Sequence, residues 1–299
     1  MLTINTKSII NETEINNILE QTKDALAEEA LDIIEKARLL KGLSIKETAV
    51  LLNNNNPEVL KLIFSAARFI KKNIYGQRLV IFAPLYTANY CVNNCLYCGF
   101  RKDNTEMKRR VLSYEEIAEE VSALEEQGHK RLLMLMGDYP EKADLDYFIK
   151  AIEQAYKTKS GKGEIRRINV EISPLSVEEF SRLKAADIGT YVLFQETYHR
   201  QTYAKMHPCG PKRDYDFRIT AMDRAQEAGI DDVGIGVLFG LYDYKFEILA
   251  LLQHAEHLEH KFGVGPHTIS VPRLEPADNA PVSTRPPYPV SDIDFMKLT

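Results

Sequence analysis

Apolar residues recur at three- and four-residue spacing through the first quarter of the chain, in the stretches 15–19, 25–40, 44–52 and 57–74, which predicts a run of amphipathic helices. Ser44 stands three residues before Glu47 as in a capping box. The asparagines at 53–56, followed by Pro57, read as one helix stopping and the next beginning. From Leu79 the pattern changes. Short apolar runs at 79–85, 131–136, 167–172, 190–194, 232–238 and 267–271 alternate with helical stretches at 113–127, 144–158, 176–186, 217–228 and 244–262. Strand followed by helix, repeated along a chain, predicts a parallel sheet with right-handed crossovers, the signature of doubly wound sheets and of (β/α) barrels alike. Runs that are apolar nearly throughout, such as VIFAPL and LLMLM, fit a sheet covered on both faces. Beyond Val271, six prolines between residues 272 and 289 predict a loop, and a helix begins at Ser291.

Composition narrows the function classes. The 299 residues are 44% hydrophobic, enough for a sizeable core. The 38 basic and 43 acidic side chains give a net charge of −5 with both signs interspersed, which argues against a nucleic-acid surface. No apolar run reaches the ~18 residues of a membrane span, and the N-terminus lacks a basic-then-apolar signal pattern. The expectation is a cytoplasmic protein that binds neither membrane nor nucleic acid. Of four cysteines, three crowd between residues 91 and 98, a poor disulfide framework that points to a metal site.

Those three are Cys91, Cys95 and Cys98, a C-x3-C-x2-C triplet directly after the first predicted strand. Three thiolates on one short loop can hold three irons of a [4Fe–4S] cube and leave the fourth open to another ligand. The competing readings are a zinc site completed by a distant histidine or by Cys209, and buried free cysteines; zinc knuckles favour paired two-residue spacings, and buried cysteines seldom cluster.

The triplet, with Tyr97 before its third cysteine, resembles that of the radical S-adenosylmethionine (SAM) superfamily, and the resemblance runs from about Leu79 to the end of the chain. It implies an α/β fold: a radical SAM (β/α) barrel of TIM type over residues 76–299, preceded by a helical extension over 1–75. It also implies that SAM chelates the open iron and that Tyr97 belongs to the cofactor-binding set. Met136-Gly137-Asp138 resembles the segment that meets the SAM amino group, with an aspartate where the superfamily has glutamate. Glu171 and Ser173 match the positions that contact ribose and methionine, and Gly234 to Gly240 the adenine-packing fifth strand. By themselves these are a turn, a helix cap better served by Ser176, and a bulge.

The run Phe194-Gln195-Glu196-Thr197-Tyr198-His199, with Tyr203, His207, Gly210-Pro211-Lys212 and Arg218, is similar to the tyrosine lyases of that superfamily. These are the 2-iminoacetate synthase of thiazole biosynthesis and an [FeFe]-hydrogenase maturase. Both cleave the Cα–Cβ bond of tyrosine to give dehydroglycine and p-cresol. The resemblance implies SAM-carboxylate contacts for Lys212 and Arg218, and tyrosine near Gln195, Glu196 and His267. His267 in His-Thr-Ile-Ser-Val-Pro-Arg favours the maturase, and Arg273 is a candidate either for substrate carboxylate or for structural closure. A reductant such as ferredoxin or flavodoxin, and other hydrogenase maturation proteins, are the implied partners. Only six strands fit after the helical extension, so the barrel is incomplete and the chain reads as the front part of a longer enzyme, without the C-terminal auxiliary cluster that carbon monoxide and cyanide formation would need. Cys209 reads as a lone cysteine, His254, His257 and His260 as a solvated helix face, and Lys108-Arg109-Arg110 as a surface run or a contact to the cofactor loop.

Overall fold

The computed structural model describes residues 6–161 and 163–298. Four helices come first: α1 (Glu12–Gln21), α2 (Ala27–Arg38), α3 (Ile45–Asn53) and α4 (Pro57–Tyr75). α3 and α4 start where the sequence places them, whereas α1 begins three residues earlier and α2 two residues later than expected. Ser44 and Glu47 form a full capping box, and Asn56 caps α4 with Pro57 in its first turn.

Six strands follow: β1 (Ala83–Ala88), β2 (Arg131–Met136), β3 (Arg167–Glu171), β4 (Tyr191–Glu196), β5 (Val233–Val237) and β6 (Thr268–Ser270). They pair in sequence order, every pair parallel, as one open sheet. The crossovers carry α5 (Tyr114–Glu126), α6 (Leu145–Lys157), α7 (Val177–Ala185), the short helices α8 (Arg200–Met206), α9 (Tyr215–Ile219) and α10 (Ala221–Glu227), and α11 (Tyr244–Phe262); α12 (Asp292–Leu298) comes last. Parallel strands in unbroken order with helical crossovers form a barrel wall, here an arc of six. Ser113 and Ser176 cap α5 and α7 through further capping boxes, so each helix starts at a defined distance from its strand.

The core lies between the sheet and its helices, around Leu132, Met134, Ile168, Val170, Phe180, Tyr191 and Ile235. Ile9, Ile15, Ala49 and Leu52 belong to the same core, because α1 and α3 pack on α11; α2 and α4 enclose a second cluster of Ile33, Ile34, Val50, Val59 and Ala66. Among the described residues no helix is long and apolar enough to cross a membrane.

Three elements depart from the pattern. The first strand is expected over 79–85 but starts at Ala83, paired with Leu132 one residue into β2; Leu79, Val80 and Ile81 precede the start of β2 in this register, and they and Phe82 are exposed. The single helix expected over 217–228 is two, broken at Thr220, whose hydroxyl donates to the Asp216 carbonyl at 2.7 Å and bends the backbone there. The histidine stripe on α11 is not a solvated face: His254 is buried with Nδ1 2.8 Å from the Tyr198 hydroxyl, and His257 reaches the buried Asp223 at 2.9 Å. Only His260 of the three is exposed.

Candidate active site

All six strands point their C-terminal ends the same way, so the residues just after β1 to β4 meet at one rim. A cavity of about 250 Å³ opens there. Cys91, Cys95 and Cys98 line it, together with Tyr97, Gly137, Asp138, Glu171, Ser173, Glu196, Lys212 and Arg218. A second cavity of about 290 Å³ shares Gly137, Asp138 and Ser173 with it and extends the site between β2 and β3.

Burial pushes the Cys98 thiol up to about 11 and raises that of Cys95. These thiols become thiolates only when a metal supplies compensating charge. Lys212 and Arg218 approach from the other side. Lys212 Nζ lies 2.5 Å from Glu196 Oε1 and 5.5 Å from the Tyr97 ring centre, and Arg218 donates from Nε to the Phe194 carbonyl at 2.8 Å. Burial opposes both charges, and the two cations repel each other, but Glu196 and Cys95 together raise Lys212, and Tyr203, Glu196 and further tyrosines raise Arg218, so both cations are retained. Glu171 is pushed up to about 7, first by burial and then by Glu196.

The backbone fixes these positions. Gly137 passes so close to the cysteine loop that a Cβ would lie 2.1 Å from the Tyr90 carbonyl oxygen, so this position accepts no side chain. Glu196 ends β4 at φ +72°, a left-handed conformation uncommon for a non-glycine residue. The Thr197 hydroxyl and the Tyr198 N–H, which follow it, both donate to the buried Glu247 of α11, the second at 2.8 Å. Tyr97 donates its hydroxyl to His207 Nε2 at 2.7 Å, the tautomer being set by Nδ1, which faces the Tyr203 carbonyl. Arg109 draws the loop after the cysteines together by donating to the carbonyls of Asn89, Phe100, Arg101 and Asn104 at 2.6 to 3.2 Å.

Three expected residues are not brought to this cavity. The pairing of β4 with β5 slips between Phe194 and Glu196, and this bulge leaves Gln195 buried but off the cavity wall. His267 precedes β6, at the end of the sheet opposite the cysteines, with its side chain exposed. Arg273 pairs with Asp292 at 2.6 Å and lies over the Phe295 ring, which makes it a closure of the C-terminal segment. Conversely, sequence reasoning gave no role to Asn93, His207 or Glu247, whose parts depend on contacts more than 40 residues away.

The donors fit the cofactors that the cysteine spacing implies. Among the described residues no three His, Cys, Asp or Glu side chains converge tightly enough for a single ion, whereas a [4Fe–4S] cube takes one thiolate per iron and needs no such convergence. The glycine at 137 leaves backbone bare at the rim, and Lys212 with Arg218 provides more positive charge than Glu196 neutralises, suiting a carboxylate-bearing ligand.

Comparison with known proteins agrees. One solved structure, of HydG, a maturase of the [FeFe]-hydrogenase, is 57% identical, with a TM-score of 0.95 over 97% of this chain and 64% of that one. HydG from Carboxydothermus hydrogenoformans is 43% identical, with a TM-score of 0.90 over 98% of this chain and 67% of that one. The 2-iminoacetate synthase of Escherichia coli (strain K12) is 31% identical over 244 residues, 81% of this chain and 63% of that protein, so the chain spans a little under two thirds of the relative's length. The model of the radical SAM superfamily matches residues 85–255, from β1 into α11 and across every cavity residue described above, and the chain therefore belongs to the radical SAM superfamily, whose members work with a [4Fe–4S] cluster and S-adenosylmethionine.

Proposed function

We propose that the chain is the cluster- and SAM-binding part of a tyrosine lyase that cleaves the Cα–Cβ bond of L-tyrosine to dehydroglycine and p-cresol, as in [FeFe]-hydrogenase cofactor maturation. The observation that carries this reading is the convergence of Cys91, Cys95 and Cys98 with Lys212 and Arg218 on one cavity, in a chain 57% identical to a HydG structure. When bound, the cluster and SAM supply the 5′-deoxyadenosyl radical that begins the reaction.

The protein's residues do the rest. Cys91, Cys95 and Cys98 hold the cluster. Gly137 and Asp138 would offer backbone carbonyls to the SAM amino group, Lys212 and Arg218 would bind its carboxylate, and Glu171 and Ser173 would supply polar contacts to its ribose and methionine parts. Glu196 keeps the two cations in place between turnovers.

The donor of the electron is proposed to be a ferredoxin or flavodoxin, the setting cytoplasmic, and the eventual partners other hydrogenase maturation proteins. Similarity to 2-iminoacetate synthase supports a second reading, a thiazole-pathway lyase, which shares the tyrosine cleavage. The chain, reconstituted anaerobically and supplied with SAM, dithionite and tyrosine, is expected to release 5′-deoxyadenosine and p-cresol. SAM cleavage without p-cresol overturns the tyrosine reading. Rescue of a thiazole auxotroph decides for the second reading over the maturase.

A further inference from the structure

Asn93, two residues after Cys91, is only 2% exposed, and its carboxamide is used on both sides. Oδ1 accepts from the backbone N–H of Lys212 at 2.8 Å. Nδ2 donates to Asp138 Oδ2 at 2.8 Å and to Cys91 Sγ at 3.7 Å. Gly210, at φ +89°, passes so near that a Cβ there would lie 2.3 Å from Asn93 Oδ1. Three separate rim segments thus meet at one amide: the cysteine loop, the residues after β2, and the loop that carries Lys212.

The chemistry of that amide is specific. It presents one acceptor and two N–H donors in a plane; aspartate would lose the donors and leucine both kinds of group. An N–H directed at a cysteine sulfur stabilises the more negative state of whatever metal group the thiolate serves, and reduction adds a negative charge. Hydrogen bonds to sulfur are among the levers that set iron–sulfur potentials, and residues that orient metal ligands are typically worth ~10–100-fold in affinity or activity.

We infer that Asn93 is a positioning residue with two effects: its Nδ2–H raises the reduction potential of the cluster held by Cys91, and its Oδ1 holds the Lys212 loop in register for SAM. This rests on the cluster reading of the preceding section. The variants N93A and N93D separate the effects, since aspartate keeps an acceptor for the Lys212 N–H and loses the donors.

The test uses the full chain, reconstituted anaerobically with iron and sulfide. Iron per chain, the midpoint potential from an EPR-monitored titration, the SAM dissociation constant from the change that SAM causes in the EPR signal, and thermal melting of the cofactor-free chain are recorded. The potential is expected to fall in both variants, and SAM affinity to fall about 10–100-fold in N93A and less in N93D. A role confined to stability would change melting or iron content and leave the potential of the loaded fraction at the wild-type value, which overturns the inference; if N93A holds no cluster, the same criterion is applied to N93L, which loses the donors without adding charge beside Asp138. A wild-type chain that takes up no iron overturns the cluster reading together with this one, whereas a loaded wild type with unshifted variants overturns only the role of Asn93.

Discussion

Lys212 Nζ sits 2.5 Å from Oε1 of Glu196, the residue at which β4 ends in a left-handed backbone conformation. Arg218 stands 3.6 Å from the same oxygen. One carboxylate therefore holds two cations at the cavity wall, and the bulge that turns Gln195 away is the same irregularity that brings Glu196 in. Strain at the strand end and charge at the site are two sides of one local geometry.

Removing that carboxylate should be costly. Glu196→Ala leaves Lys212 and Arg218 largely buried beside each other with their paired carboxylate gone and only Glu171 near, and breaking a buried pair in this way costs up to roughly 3–5 kcal/mol. Urea unfolding of the cofactor-free chain is expected to show a loss of that order. Added SAM analogue should restore part of it in the cluster-loaded variant, because its carboxylate replaces the missing charge. A variant as stable as wild type would mean that the cations are already compensated by solvent.

The acids of the rim predict a pH dependence of stability. Burial holds Glu171 up to about 7 and Glu247 up to about 8, both above the ordinary carboxyl value of 4.5. Both groups hold their proton more tightly folded than unfolded. Their contribution is fully present below about pH 4.5 and is lost as pH rises through 7 and 8. The slope from one such group approaches roughly 1.4 kcal/mol per pH unit inside that window. Glu247→Gln keeps an acceptor for the Thr197 hydroxyl or the Tyr198 N–H and cannot ionise, so its unfolding free energy should vary less between pH 5 and 9 than that of wild type. Parallel pH profiles for the two proteins would refute this assignment.

Much of this was legible in the sequence because it is local. Capping boxes at Ser44, Ser113 and Ser176 depend on residues three apart, and the strand–helix alternation on runs of a few residues. Cys91, Gly137 and Glu171 could be placed at the cavity because each stands at or just after a strand end and strand ends share a rim, whereas Lys212, beyond α8, was singled out only by the resemblance of its motif. What escaped depends on pairing across the chain. The start of β1 is set by where β2 begins, 48 residues later, and the exposed run Leu79 to Phe82 carries the same apolar pattern as a true strand. For Arg273 the sequence left substrate carboxylate and structural closure side by side, and its pairing with Asp292 and Phe295 favours closure.

That assignment of Arg273 has its own test. Arg273→Ala should leave iron content and SAM binding at wild-type values, since the side chain lies off the cavity. It should loosen the last helix instead, because the guanidinium also donates to the Val290 carbonyl at 3.3 Å. Exposed ion pairs are worth ~0–1 kcal/mol, so global stability changes little while limited proteolysis near residue 290 quickens. Loss of SAM binding would return Arg273 to the site.

Gly137 separates packing from chemistry in the opposite direction. A methyl group there must displace the Tyr90 carbonyl, which is backbone and cannot swing away. Gly137→Ala is expected to cost about 1–3 kcal/mol through overpacking and to lower SAM affinity more than tenfold, as the carbonyls of the rim move out of reach. Calorimetric titration of the cluster-loaded variant with SAM is the direct measurement. Unchanged affinity would show that the rim after β2 does not meet the cofactor.

The Tyr97–His207 hydrogen bond ties the cysteine loop to the end of α8. His207 is held neutral, pushed down to about 2 by burial first and by Lys212 and Arg218 after it, so this hydrogen bond does not titrate near neutrality. Tyr97 is buried as well, and neither group has water to fall back on. His207→Phe leaves the tyrosine hydroxyl without an acceptor, a loss of about 1–3 kcal/mol, and Tyr97→Phe leaves the imidazole Nε2 unpaired at a similar cost. With both replaced, no polar group is stranded at this contact, so the double variant should be less destabilised than the sum of the two single changes. Chemical denaturation of the four proteins gives the coupling energy, expected at about 1 kcal/mol or more. Strict additivity would mean that the two rings merely share a wall, and that the cysteine loop is held in place by Arg109 and Asn93 without them.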